Sequence, residues 1–230
     1  MNTEIKGLRL VSIEENLTEK ELKLKEKYGN EKVLVVERAS LPLTLKTKEF
    51  TYTNDRVLSY ISEASYFVPR YKAEYNPQLR QPISYIVIKA DGKYFATKRL
   101  AGSGEERLVS QISIGVGGHI NPIDEESYFD IFYTSLLREL DEELTIPKLS
   151  SPTIDFVGII NDTSNEVSKD HLGLLYILDF DIPVEEITVK ETDKLEGIYM
   201  TLDEMGERYN TLESWSQIVY REVLKNWCIE

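Results

Sequence analysis

Hydrophobic positions along this chain change spacing several times, and each change marks an element. "LTEKELKLKEKYGN" is mostly charged and predicts a solvent-facing helix that opens near Thr18 and ends before Gly29. "KVLVVER", Lys32 to Arg38, is an unbroken aliphatic run and predicts a buried strand. "NDRVLSYISEAS" places Val57 and Ile61 at helical spacing behind Asn54, a capping residue, and predicts a second helix. "YFVPRYKAEYNPQLRQP" then interrupts the pattern with Pro69, Pro77 and Pro82, which predicts irregular chain, a linker or a lid.

From Pro82 onward strand patterns dominate. "ISYIVIKADGKYFATKR" predicts two strands joined at Asp91-Gly92, a strong hairpin signal. "AGSGEERL" reads as a loop, and "VSQISIGVGGHI" as a strand running into a glycine turn. A long helix is expected up to Leu144. "IDFVGIIND" and "HLGLLYILDFDI" predict another strand pair around a polar loop, and "LEGIYM" a further short strand. "TLESWSQIVYREVLKNW" predicts a closing helix whose Leu212, Trp215, Val219 and Val223 share one face, a stripe that suits core packing. The expectation is an α+β fold with a mixed sheet and two principal helices over residues 81–230. Residues 1–80 are expected as an extension packing on that core.

Composition narrows the function classes. The chain has 230 residues, 41% hydrophobic and 29% charged, which suits a globular protein. No apolar run approaches the roughly 20 residues that span a bilayer. "MNTEIKGLRLVSIEE" lacks the apolar core of a secretory signal, and Cys228 is the single cysteine. A cytoplasmic location without membrane association is therefore expected. The net charge of −13 argues against a binder of nucleic-acid duplex, which needs a basic face. It does not exclude action on small phosphates if divalent cations bridge the like charges.

The acid excess peaks in "RELDEEL", Arg138 to Leu144. On a helix turning about 100° per residue, Phe129, Tyr133, Leu137, Leu140 and Leu144 fall in an apolar stripe, with Glu139, Glu142 and Glu143 clustered on a different face. Like charges at such spacing destabilise a helix by roughly a few tenths of a kcal/mol per pair unless something offsets them. Mg²⁺, which prefers carboxylate oxygens, does so. An acidic run alone is usually a solvated face. The "GVGGHI" turn before the helix, where backbone approaches closely, shifts the balance toward a ligand site.

These residues resemble the Nudix hydrolase signature, which is Gly, five residues, Glu, seven residues, then Arg-Glu-U-x-Glu-Glu-x-Gly-U, with U a bulky aliphatic. Arg138, Glu139, Leu140, Glu142, Glu143 and Ile146 match its second half. The first half departs from it. Asp130 stands at the required distance before Arg138, while Gly118 lies six residues too far upstream, so a six-residue insertion is expected. Asp124 lies at the correct distance after Gly118, and Thr145 replaces the family's glycine. The resemblance covers roughly Pro82 to Glu230 and implies an α/β/α sandwich.

It also implies hydrolysis of a diphosphate linked to another group, usually a nucleoside diphosphate derivative, with Mg²⁺ or Mn²⁺. Glu142 and Glu143 would bind the ion, with Glu139 a third ligand or the general base. The Gly118 carbonyl would join the ligands, and Arg138 would hold a glutamate in place. Some family members put the base on a later loop, where the candidate is Glu166, more readily an exposed loop residue. Lys98, Arg99 and Arg107 are candidate phosphate contacts. Arg70 and Arg80 are expected as solvated surface residues, and Tyr66, Tyr71 and Tyr75 as ordinary packing. His119 and His171 are expected to be structural, satisfied by backbone partners. Homodimers are common on this fold. Two other readings remain: a non-catalytic nucleotide sensor or interaction module, and isomerase chemistry. A sensor has no need of three metal-facing carboxylates, and no cysteine near the motif supports an isomerase.

Overall fold

The computed structural model describes residues 9–10, 17–100, 111–122, 130–147, 151–165 and 168–227. The chain runs β1 (Arg9–Leu10), α1 (Glu19–Tyr28), β2 (Lys32–Glu37), α2 (Thr44–Thr47), β3 (Phe50–Tyr52), α3 (Asp55–Ala64), β4 (Ser65–Pro69), α4 (Arg70–Ala73) and β5 (Leu79–Ala90). There follow β6 (Lys93–Arg99), β7 (Ile112–Ser113), β8 (Gly115–Val116), α5 (Ile131–Glu143), β9 (Leu144–Thr145), β10 (Thr153–Ile160) and β11 (His171–Phe180). The chain continues through β12 (Thr188–Val189), β13 (Leu195–Met200), α6 (Leu202–Glu207), α7 (Ser214–Val219), a π-helical turn at Tyr220–Leu224 and α8 (Lys225–Trp227). Among the described residues, no helix is long and apolar enough to cross a membrane.

Caps and turns fall where side-chain chemistry directs them. Thr18 and Glu21 form a reciprocal capping box at the start of α1, and Asn54 caps α3 through the Arg56 N–H. Asp91 and Gly92 both take positive φ, 48° and 71°, and turn β5 back into β6.

The organising element is β5, whose register reaches four neighbours. Gln81 to Ala90 run parallel to His171 to Phe180 of β11, and the first residues pair with β2. Its far end pairs with β6, and Ile86 and Val87 pair with β8. β10 lies antiparallel to β11, with β3 on its outer edge. Alternation along β5 and β11 divides the core. Ile86, Ile88, Leu172, Leu174 and Leu178 join Phe132, Leu136 and Leu140 of α5. Tyr85, Val87, Leu175 and Ile177 join Ile218 and Val219 of α7 and Val223 of the π-helical turn. The result is a mixed sheet between helices, an α+β sandwich.

The proline-rich stretch is a correction to the sequence reading. Ser65–Pro69 is a strand paired with β2, Arg70–Ala73 is a helical turn, and Gln81 and Pro82 lie inside β5. Pro82 pairs with Leu172 of β11 and falls between the residues of β5 that pair with β2 and those that meet the β8 segment; the proline signal overstated the break. The strands before residue 80 belong to the same sheet, and Leu34, Val36, Ile61 and Phe67 sit in the α5-side core.

The α5 stripe is a second correction. Ile131, Phe132, Ser135, Leu136, Glu139 and Leu140 are the buried residues. They fill half of the circumference at about 100° per residue, with Glu139 near its middle. Tyr133 and Leu137 face outward at 37% and 43% exposure, and Phe129 lies outside the described residues. Acids and apolar residues share one face because the strand beneath offers a glycine where Glu139 comes down.

Candidate active site

The site is built where β8 ends and α5 passes over it. Gly117 has φ 141°, and a Cβ there would stand 1.8 Å from the Ser84 carbonyl oxygen. A Cβ on Gly118 would lie 2.7 Å from a Glu139 carboxylate oxygen. The two glycines thus let backbone lie directly under the glutamate. The Gly118 carbonyl accepts from the Ser84 N–H at 3.2 Å, which leaves one of its lone pairs for another partner.

Glu139 is 6% exposed. Burial pushes its carboxyl up from the ordinary value, against the pull of Arg138. Glu143 is pushed up to about 7, chiefly by burial and then by Glu139, while the Gly117 N–H and Arg99 oppose the rise. Glu142 points toward solvent. Among the described residues, the three carboxylates do not gather within 4.8 Å of one another.

Arg138 stands among them. Its guanidinium reaches Glu139 at 2.7 Å and Glu142 at 2.9 Å. It also donates to the His119 carbonyl at 2.8 Å and to Asn121 Oδ1 at 3.1 Å. Asn121 in turn donates to the Lys32 carbonyl, and the Leu34 N–H to the Ile120 carbonyl, each at 2.8 Å. The first strands of the chain therefore brace the turn and the arginine together. Sequence spacing carried no sign of Asn121.

Asp130 caps α5 by accepting from the Phe132 N–H at 2.8 Å. Leu144 leaves the helix in extended conformation, φ −123°, and β9 pairs with β12. No left-handed residue is needed there, so Thr145 fits in place of glycine. The residues that would hold the insertion, 123–129, lie outside the described residues, as do Arg107, Glu166, Asp124 and Cys228.

Arg99 ends β6 and bears electrostatically on Glu143. Lys98, one residue earlier, belongs to the other face of the strand, so the pair is not brought together. Arg70 and Arg80 correct the expectation of solvated residues. Arg70 pairs with Glu31 and Glu74, each at 3.1 Å, and lies over the Tyr28 ring. Arg80 is 2% exposed, bonds to the Lys169 carbonyl and Asn161, and is lowered to about 10 by burial and by Arg38. His119 is also corrected: its ring meets the side chains of Gln81, at Oε1 2.9 Å away, and of His171, 3.3 Å away.

No protein-family model matches this chain. Protein YmaB of Bacillus subtilis is 39% identical over 166 residues, covering 71% of this chain and 80% of that protein. The crystal structure of Tm1382, a candidate Nudix hydrolase, superposes with a TM-score of 0.71 at 29% identity, covering 85% of this chain and 99% of that one. A MutT Nudix hydrolase from Burkholderia pseudomallei is more distant, with 17% identity, a TM-score of 0.41 and coverage of 63% and 98%, and bears no weight.

Proposed function

This chain belongs to the Nudix superfamily, and from that premise we propose that it is a metal-dependent pyrophosphohydrolase acting on a nucleoside diphosphate joined to a further group. The likeness to Nudix hydrolases supports pyrophosphate hydrolysis in general; the substrate class and the residue roles are our reading. The donor set fits a hard divalent ion. It offers oxygen alone, and burial raises two of its three carboxyls, Glu139 and Glu143, against the pull of Arg138 and Arg99.

Glu142 and Glu143 would hold Mg²⁺ or Mn²⁺, with one lone pair of the Gly118 carbonyl within the same pocket. The ion, when bound, polarises a phosphoryl oxygen and lowers the pKa of water. Glu139 is the general base in this reading. Burial raises its proton affinity, and Arg138 fixes one of its two oxygens, both of which lie beside Gly118. Arg138 is a positioning residue, tying two glutamates to the glycine turn through charge-assisted bonds. Arg99 is the cation placed to meet phosphate charge beside Glu143.

The observation that carries this reading is the burial of Glu139 in the middle of the core face of α5, against a glycine that leaves it room. The test is a panel of nucleoside diphosphate derivatives with Mg²⁺ or Mn²⁺, read by phosphate release with and without added phosphatase. Turnover of at least one member is expected. Silence across the panel, with the ions and ligands still binding, would assign the chain to nucleotide sensing instead.

A further inference from the structure

We infer that Glu74, His119 and His171 form a second metal site, for a zinc-type transition ion, on the face of the sheet opposite the carboxylate pocket. The site stands apart from the hydrolysis proposed above, and neither depends on the other.

Strand geometry puts the residues together. Gln81 is the register partner of His171 across the parallel β5–β11 pair, and Ile83 bridges His119. Side chains alternate along a strand, so a residue at Gly118 faces Glu139 while His119 projects to the other side. There it meets His171, at the start of β11, and Glu74, in the turn that follows α4. One donor atom from each residue lies within 4.8 Å of the other two.

The spacing suits a small tetrahedral ion. The two Nε2 atoms are 3.3 Å apart. An ion bound about 2.0–2.1 Å from each of two imidazoles at the tetrahedral angle separates the nitrogens by roughly 3.3–3.4 Å. The pocket is sheltered as well: the Glu74 side chain is 9% exposed, and His171 is buried.

One nitrogen of His119 stands between two side chains. His119 Nε2 carries at most one proton, yet it faces both Gln81 Oε1 and His171 Nε2. Gln81 is fully buried, and its Nε2 has no partner. Turning the amide over only transfers the unmet bond to the oxygen. A cation between the two rings would accept a lone pair from each Nε2.

An outer shell is in place too. Arg70 donates to Glu74 Oε1 at 3.1 Å, leaving Oε2 for an ion, and is itself held by Glu31 and the Tyr28 ring. Two imidazoles with one carboxylate favour zinc-type ions, whereas the all-oxygen set on α5 favours Mg²⁺ or Mn²⁺. An ion here would fasten the turn before β5 to the residue that follows Gly118.

The test uses the full chain, stripped by chelator and titrated with Co²⁺ in excess Mg²⁺. One equivalent is expected to develop the intense visible bands of four-coordinate cobalt, to be displaced by one equivalent of Zn²⁺, and to raise the melting temperature. His171→Ala should abolish the bands. Glu74→Gln, a milder change that preserves shape, should weaken binding by at least about 10-fold. Glu142→Gln should leave the bands unchanged. Absence of a tight cobalt equivalent in the unmutated chain overturns the inference. So does Glu74→Gln binding as tightly as the unmutated chain, or loss of the bands in Glu142→Gln with their survival in His171→Ala.

Discussion

The two faces of the central sheet carry polar pockets of opposite character built on the same three residues of backbone. On the α5 face, Gly117 and Gly118 make room for glutamates, one of them still reaching solvent, with an arginine holding them apart. On the other face, His119 enters a more enclosed pocket where rings and an amide meet and one polar atom goes unmet. Strand alternation alone sends adjacent residues into such different surroundings. The helix above supplies oxygen donors, while the turn before β5 and the start of β11 supply nitrogen and a single carboxylate. In our two proposals one short segment serves a hard ion on one face and a softer one on the other, because its neighbours rather than its own residues decide the donor set.

The largest expected effect strikes both faces together. Gly117→Ala places a Cβ against the Ser84 backbone at a φ that side chains rarely adopt. A loss of about 3 kcal/mol or more is expected, read as a fall in the urea midpoint. Retained stability would show that the turn is not the shared support.

Glu139→Gln should separate the faces. Turnover on any substrate found should drop about 100-fold or more, the scale of a general base, with the urea midpoint close to that of the unmutated chain. Turnover near the original would remove Glu139 from the mechanism.

Next comes pH. Burial pushes the Glu143 carboxyl in the folded chain up to about 7 from its ordinary value of 4.5. The folded state therefore holds this proton more tightly than the unfolded state does. Its stability contribution is complete below about 4.5 and is lost as pH rises through about 7. In metal-free protein this should lower stability across that window by about 2 kcal/mol, less than the bare shift because solvent screens part of it. Glu143→Gln should flatten that part of the urea-midpoint profile, and Mg²⁺ should restore stability above neutral pH. A profile identical in the variant would detach the effect from Glu143.

The smallest effect expected is that of Arg138→Lys, which keeps the charge and loses the fork that reaches two glutamates and a carbonyl. A roughly 10-fold loss in Mg²⁺ affinity is expected by titration, at the lower end for a residue that orients ligands. Cobalt binding on the other face should not move.

Much of this molecule was legible in its sequence. Asn54 and Thr18 announced their helices, and Asp91-Gly92 its hairpin, because capping and turn chemistry act within a few residues. The arginine and the glutamates were singled out by their resemblance to the Nudix signature, and α5 brings Arg138 against Glu139 and Glu142. The wrong face of α5 was chosen because periodicity assumes that every buried position is apolar. Glu139 is buried because a glycine of the turn after β8 lies beneath it. The segment from Tyr66 to Pro82 was misread because prolines report local preference and say nothing of the strands waiting on either side.

By itself the sequence determined the longer elements outside Tyr66 to Pro82, two helix caps and the acid-rich motif, since these depend on interactions within one turn of helix or one reversal of strand. Only the tertiary structure decided which face each acid occupies, that Asn121 braces Arg138, and that two histidines 52 residues apart come within 3.3 Å. Those outcomes depend on register between strands distant along the chain, and register is fixed by the packing of the whole sheet rather than by any local preference.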